Sequence, residues 1–154
     1  MPNHIHLLLK QNRDNGITKF MQKVGTGYGG YFNRKNNRKG HVFQSRFRSV
    51  IIKDNNQLII VSNYIHANPI SLIEPNFKEQ GIKNHSVKEI LSFLKTDYIW
   101  SSFPDYVGIK NFPSVTERGF LLGVTGGEKN LEDNLIDWIN YKKDISQFND
   151  LFLE

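Results

Sequence analysis

An α+β fold is what the 154 residues predict, and three observations carry the prediction. Two short stretches alternate apolar and polar side chains, which is the period of a strand. Longer stretches repeat apolar residues three and four positions apart, which is the period of a helix. The chain is 38% hydrophobic and 23% charged, enough apolar matter for one core and too little charge for disorder. It contains no cysteine, which excludes a disulfide framework, a thiolate zinc site and a cysteine nucleophile. No apolar run approaches the roughly 18 residues of a membrane-spanning helix, and no signal peptide is recognisable. The expectation is a soluble, cytoplasmic protein with no membrane partner.

Asn3 to Lys10 reads as a strand, with Ile5, Leu7 and Leu9 on one face and His4, His6 and Leu8 on the other. A polar turn follows. From Ile17 a helical stripe runs through Phe20, Met21, Val24, Tyr28, Tyr31 and Phe32. Gly25, Gly27, Gly29 and Gly30 weaken that helix, at about 1 kcal/mol each against alanine. His41 to Lys53 returns to period two: Phe43, Phe47 and Ile51 form an apolar side assigned to the core, and Gln44, Arg46 and Arg48 a polar one. Asp54 is placed to cap a helix that runs towards Asn68 and stops at Pro69, since a residue before proline disfavours helical angles. Along it Ile60, Tyr64 and Asn68 stack on one side. Further on, Ser86 can cap Val87–Leu94, and Ser114 with Glu117 has capping-box spacing. Leu131, Leu135, Trp138 and Ile139 form an amphipathic stripe, while Leu72–Asn84 carries no pattern.

Charge is divided unevenly. Residues 1–77 hold 11 Lys/Arg against 3 Asp/Glu, whereas residues 78–154 hold 9 against 12. A basic front half fits a polyanionic partner, and it equally fits a solvated lysine-rich surface. The basic residues gather in Arg34, Lys35, Arg38, Lys39, Arg46 and Arg48, with Tyr31, Phe43 and Phe47 between them. Cationic grooves with aromatic platforms are how single-stranded nucleic acid is commonly held.

Two imidazoles at i and i+2 on a strand point the same way, close enough to share a divalent cation. His4 and His6 fit that description, and they fit a pair of ordinary satisfied histidines as well. Tyr64 on an apolar helix fits a core residue with its hydroxyl at the edge. Asn68, one turn on, offers an amide oxygen to any site that Tyr64 borders, or is simply the last residue before a proline.

The run M-P-N-H-I-H-L-L-L, then Y-F-N-R, then G-H-V-F-Q-S-R-F-R-S, then Y-I-H-A-N-P-I resembles the single-tyrosine HUH transposases. Within them it is most similar to the insertion-sequence-200-like and REP-associated tyrosine transposases. Y-I-W-S-S-F-P-D-Y-V-G resembles a segment found downstream in the same group. The resemblance implies a ferredoxin-like (RRM-like) antiparallel sheet with helices. That sheet would lack its first strand–helix–strand portion, because the chain starts at M-P-N-H. It implies a catalytic domain over 1–108 and a helical extension over 109–154. It also implies that His4, His6 and Asn68 hold Mg²⁺ or Mn²⁺. Tyr64 would attack single-stranded or hairpin DNA to give a 5′-phosphotyrosine, and Arg34, Lys35, Arg38, Lys39, Arg46 and Arg48 would hold the nucleic acid. A homodimer is among the arrangements the family allows. The implied function is metal-dependent DNA strand cleavage and transfer in transposition. A degenerate relative that binds such DNA without cutting it is the alternative, and an interaction protein without a nucleic-acid role a third.

Overall fold

The computed structural model describes residues 4–141. Met1–Asn3, where the first predicted strand begins, and residues 142–154, the end of the predicted extension, lie outside the described residues. The chain divides into two compact units, residues 7–50 and residues 4–6 with 51–141.

The 7–50 unit is built on α1, Gly16–Lys35, which forms where the apolar stripe predicts it despite its four interior glycines. None of its residues is buried. Tyr28 meets Phe32 and Phe43, each with ring centroids 5.9 Å apart, and Asn33 Nδ2 donates to Gly40 O at 2.8 Å to close the turn after the helix. That turn needs Gly40, whose φ of 96° lies where a side chain is strained. Phe43 and Phe47 are 45% and 41% exposed, so their assignment to the core is corrected.

The larger unit contains α2 (Asn55–Ala67), α3 (Phe77–Gln80), α4 (Val87–Ser92), α5 (Phe103–Tyr106), α6 (Gly119–Thr125) and α7 (Glu128–Asn140). Asp54 caps α2 as predicted, accepting from Gln57 N at 2.8 Å. The chain does not leave the helical region at Pro69. Asn68 has φ −55° and ψ −38°, and a 3-10 turn, Asn68–Leu72, continues from α2. Proline at the first turn of a helical segment has no N–H to satisfy there, and the burial of Ile70 secures the turn. Ser86 caps α4 in a complete capping box with Glu89, and a π-helical turn, Phe93–Asp97, follows. The Ser114 box does not form. Glu117 itself receives Gly119 N at 2.8 Å and Phe120 N at 3.3 Å, so its carboxylate satisfies the start of α6. Gly126, at φ 82°, ends α6, and its N–H donates to Leu122 O at 2.9 Å.

In the core of this unit α2, α6 and α7 pack together, and the same core takes in Ile90, Leu94 and Phe103. Leu131, Leu135, Trp138 and Ile139 are all buried, as the stripe predicts, and Asn63 Nδ2 on α2 reaches Asn134 O at 3.3 Å. Each such apolar side chain contributes about 1.5–3 kcal/mol on burial.

The predicted antiparallel sheet is absent: the described residues form helices and loops and contain no strand. Segments 4–10 and 41–53 are irregular. Alternation along a segment records two unlike faces, whereas a strand also needs a neighbour to close its N–H and C=O groups. Neither segment has one among the described residues, and Ile5 and Ile51 stand 69% and 82% exposed.

Leu135→Ala should lower the unfolding free energy by about 2–5 kcal/mol, read from urea unfolding followed by circular dichroism, because Leu135 is fully buried.

Candidate active site

At 100° per residue, α2 sends Tyr64 and Asn68 to one side and His66 to the opposite one. The His66 side is structural. Its imidazole is buried, with ring centroids 5.4 Å from Phe103 and 5.3 Å from Tyr106, and its Nε2 shares a 3.4 Å hydrogen bond with Ser102 Oγ. Burial lowers its pKa to about 4, so the ring is neutral. Asp105 closes the surrounding loop by accepting from Asn111 N and Phe112 N, both at 2.9 Å, and Asn111 Nδ2 donates to Ile99 O at 2.7 Å. The Y-I-H-A-N-P-I and W-S-S-F-P-D-Y segments, far apart in sequence, therefore meet through His66.

On the other side the His6 and Tyr64 rings meet edge to face, centroids 5.5 Å apart at 81°, and His4 and His6 do the same at 4.9 Å and 83°. Lys78 Nζ stands 5.8 Å from the Tyr64 ring centroid. Tyr64, Asn68, Ser71, Phe77, Lys78 and Trp138 line a recess of about 10 Å³, room for a single water. Tyr64 is 6% exposed, and burial raises its pKa above that of an ordinary phenol. Burial and the nearby Lys78 charge lower His4. For His6, burial leads and His4 and Lys78 add to it, so both imidazoles are neutral at pH 7 with a lone pair to offer.

Lys78 is held in place by a carboxylate clamp. Buried Glu74 accepts from Asn84 N at 2.7 Å, Asn84 Nδ2 at 3.1 Å, and His85 N and Nδ1 at 2.9 Å. The His85 contact above all lowers the Glu74 carboxyl to about 2. Phe77 N donates to Glu74 O at 2.9 Å, which starts α3 and carries Lys78 to the recess.

His6 Nε2, both amide atoms of Asn68 and Ser71 Oγ are buried without a hydrogen-bond partner. Leaving such atoms unmatched costs about 1–3 kcal/mol each, so they mark a place that a polar ligand suits. Imidazole nitrogen and amide oxygen are donors that a divalent cation accepts, so the residues present fit one. Among the described residues no group of three His, Asp or Glu could hold a metal.

The structure thus brings His4, His6, Tyr64 and Asn68 into one compact unit. The basic candidates lie in the other. Arg34, Lys35, Arg38, Lys39, Arg46 and Arg48 are all exposed there, with Lys35 Nζ 5.6 Å from the Tyr31 ring centroid and Arg38 Cζ 5.6 Å from that of Phe32. Lys78 and Ser71 are missed by sequence reasoning, since the 72–84 stretch has no periodicity to place Lys78, and a serine after proline carries no signal.

Residues 1–68 match the family model described as Transposase IS200 like. Over those residues, somewhat under half of the chain, it is similar to the IS200-like transposases. The match runs from the histidine pair to Asn68, whereas the W-S-S-F-P-D-Y segment lies beyond it. No curated protein and no solved structure matches the chain. Among the described residues no helix is long and apolar enough to cross a membrane.

A buried imidazole with a lowered pKa makes stability rise with pH between about 4 and 6.5, because only the unfolded chain binds the proton there. Acidification from pH 7 to 4 should therefore cost on the order of 3 kcal/mol through His66. His66→Phe should flatten that part of the stability–pH curve, as measured by urea midpoints across the range.

Proposed function

We propose that this IS200-like chain is a DNA strand transferase in which Tyr64 is the nucleophile. The observation that carries the reading is the contact of the Tyr64 ring with His6, in a cluster that also includes His4, Asn68 and Lys78. Tyr64 Oη would bond to a phosphorus of single-stranded DNA as the bond from that phosphorus to the 3′ oxygen breaks. The phenol's proton ends on the departing 3′ oxygen, leaving a 5′-phosphotyrosine and a free 3′-hydroxyl. Attack by another 3′-hydroxyl reverses the step and joins strands without an external energy source.

His4 Nε2 or Nδ1, His6 Nε2 and Asn68 Oδ1 would hold Mg²⁺ or Mn²⁺. Bound there, the cation would polarise the phosphate and offset its negative charge. The neutral imidazoles suit that role, since a protonated ring has no lone pair to give. The exposed cations of the 7–50 unit would contact the phosphates, and Tyr31, Phe43 and Phe47 offer ring faces for unpaired bases.

A second reading, DNA binding without cleavage, is favoured by one observation. Tyr64 is buried beside a recess with room for one water, so a phosphate reaches its oxygen only if the recess opens.

The test uses hairpin DNA with a single-stranded tail, labelled at its 3′ end, with Mg²⁺ or Mn²⁺. The labelled fragment should stay on the protein in a denaturing gel. Tyr64→Phe should abolish the adduct, chelation should abolish it reversibly, and His4→Ala with His6→Ala should reduce it at least tenfold. Salt-sensitive binding with no adduct at any metal concentration would establish the second reading instead.

A further inference from the structure

We propose that Lys78 is a further catalytic residue of this site, its ammonium binding a non-bridging oxygen of the phosphate that Tyr64 attacks. The reaction part of this inference rests on the proposed function, while the phosphate contact rests on geometry alone. Lys78 Nζ is 5.8 Å from the Tyr64 ring centroid, and Lys78 lines the same recess as Tyr64, Asn68 and Ser71. A cationic group that lines one recess with a phenol and with buried, unmatched polar atoms meets whatever occupies it.

Three features suit Lys78 to an anion. Its ammonium stands near the Tyr64 ring that His6 touches, and His6 in turn touches His4, so the imidazole pair and the cation serve one small volume. Its position is fixed, because α3 begins at a hydrogen bond from Phe77 N to the backbone of Glu74, and Glu74 is clamped to Asn84 and His85. It is half-buried, and a cation partly withdrawn from water attracts an anion more strongly than one in bulk solvent. Lys78 keeps its protons throughout: it binds the substrate and the charge that builds on it, and no bond to it forms or breaks.

The test pairs two measurements on Lys78→Gln, Lys78→Arg and the native chain. The first is affinity for a single-stranded oligonucleotide over a salt series. The second is the rate of adduct formation at saturating DNA. Lys78→Gln should shrink the log–log salt slope by about 0.7, the value for one single-strand phosphate contact. It should also slow adduct formation at least about tenfold. Lys78→Arg should restore the slope and part of the rate. Lys88→Gln removes the same charge from an exposed position on α4 and should change neither. Far-UV circular dichroism and the Lys78→Arg rescue separate a lost contact from a lost fold.

An unchanged slope overturns the proposal, and so does a reduced slope with an unchanged rate, which would place the contact on a phosphate that does not react. Absence of any adduct with the native chain refutes the proposed function. In that case the slope alone decides whether Lys78 binds phosphate.

Discussion

Everything in the larger unit depends on how α2 resolves a conflict, for it is buried on most sides and yet carries Ser62, Asn63, His66 and, at its C-cap, Asn68. Polar groups taken out of water must find partners or cost stability. Ser62 turns back to Ile59 O at 2.9 Å, Asn63 reaches across to α7, and His66 finds Ser102. Asn68 is different. Its amide is buried with neither atom matched, one turn beyond Tyr64 and on the same side. Three polar residues are used to hold the fold, and the fourth is left to the recess.

His66 Nδ1 is also buried without a partner, yet it tells a different story. Phe103 and Tyr106 face its ring, and its other nitrogen meets a serine, so the surroundings are those of packing. Asn68, Ser71 and His6 present their unmatched atoms in the unit that holds the second imidazole and an ammonium. Isolated unmatched atoms are a cost of packing, while a group of them near a cation and a phenol is the outline of a polar ligand.

The helices were legible because their signals are local. Asp54 caps α2, Ser86 and Glu89 box α4, and the Leu131–Ile139 stripe is buried as its spacing requires. The sheet was not legible as such, because alternation in 4–10 and 41–53 describes unlike faces and says nothing of a pairing neighbour. The same limit explains Phe43 and Phe47, where period two predicts burial although no described segment covers them. At Asn68 the local rule about residues before proline gave way to the burial of Ile70 and the 3-10 turn. Tyr64, His4, His6 and Asn68 could be singled out by residue type, spacing and resemblance. Lys78 could not, since its place follows from the Glu74 clamp, whose partners lie about ten residues away.

The chemistry proposed for the recess turns on a division between lone pairs and charge. Burial makes the Tyr64 phenol harder to ionise than one in water, so phenolate is scarce at neutral pH. The same burial keeps His4 and His6 neutral, which leaves them able to coordinate but unable to offset an anion. Positive charge beside the phenol must then come from elsewhere, from a coordinated cation, from Lys78, or from both. Burial also lowers the Lys78 pKa, partly offset by Glu79, so the environment that discourages phenolate discourages the ammonium too. In the proposed reaction a phosphate entering the recess would offset the penalty on the ammonium, and the ammonium would in turn stabilise the charge that develops as Tyr64 attacks. A recess that disfavours each isolated charge would thereby favour their combination, so that on the proposed mechanism a buried tyrosine is inert alone and reactive with DNA in place.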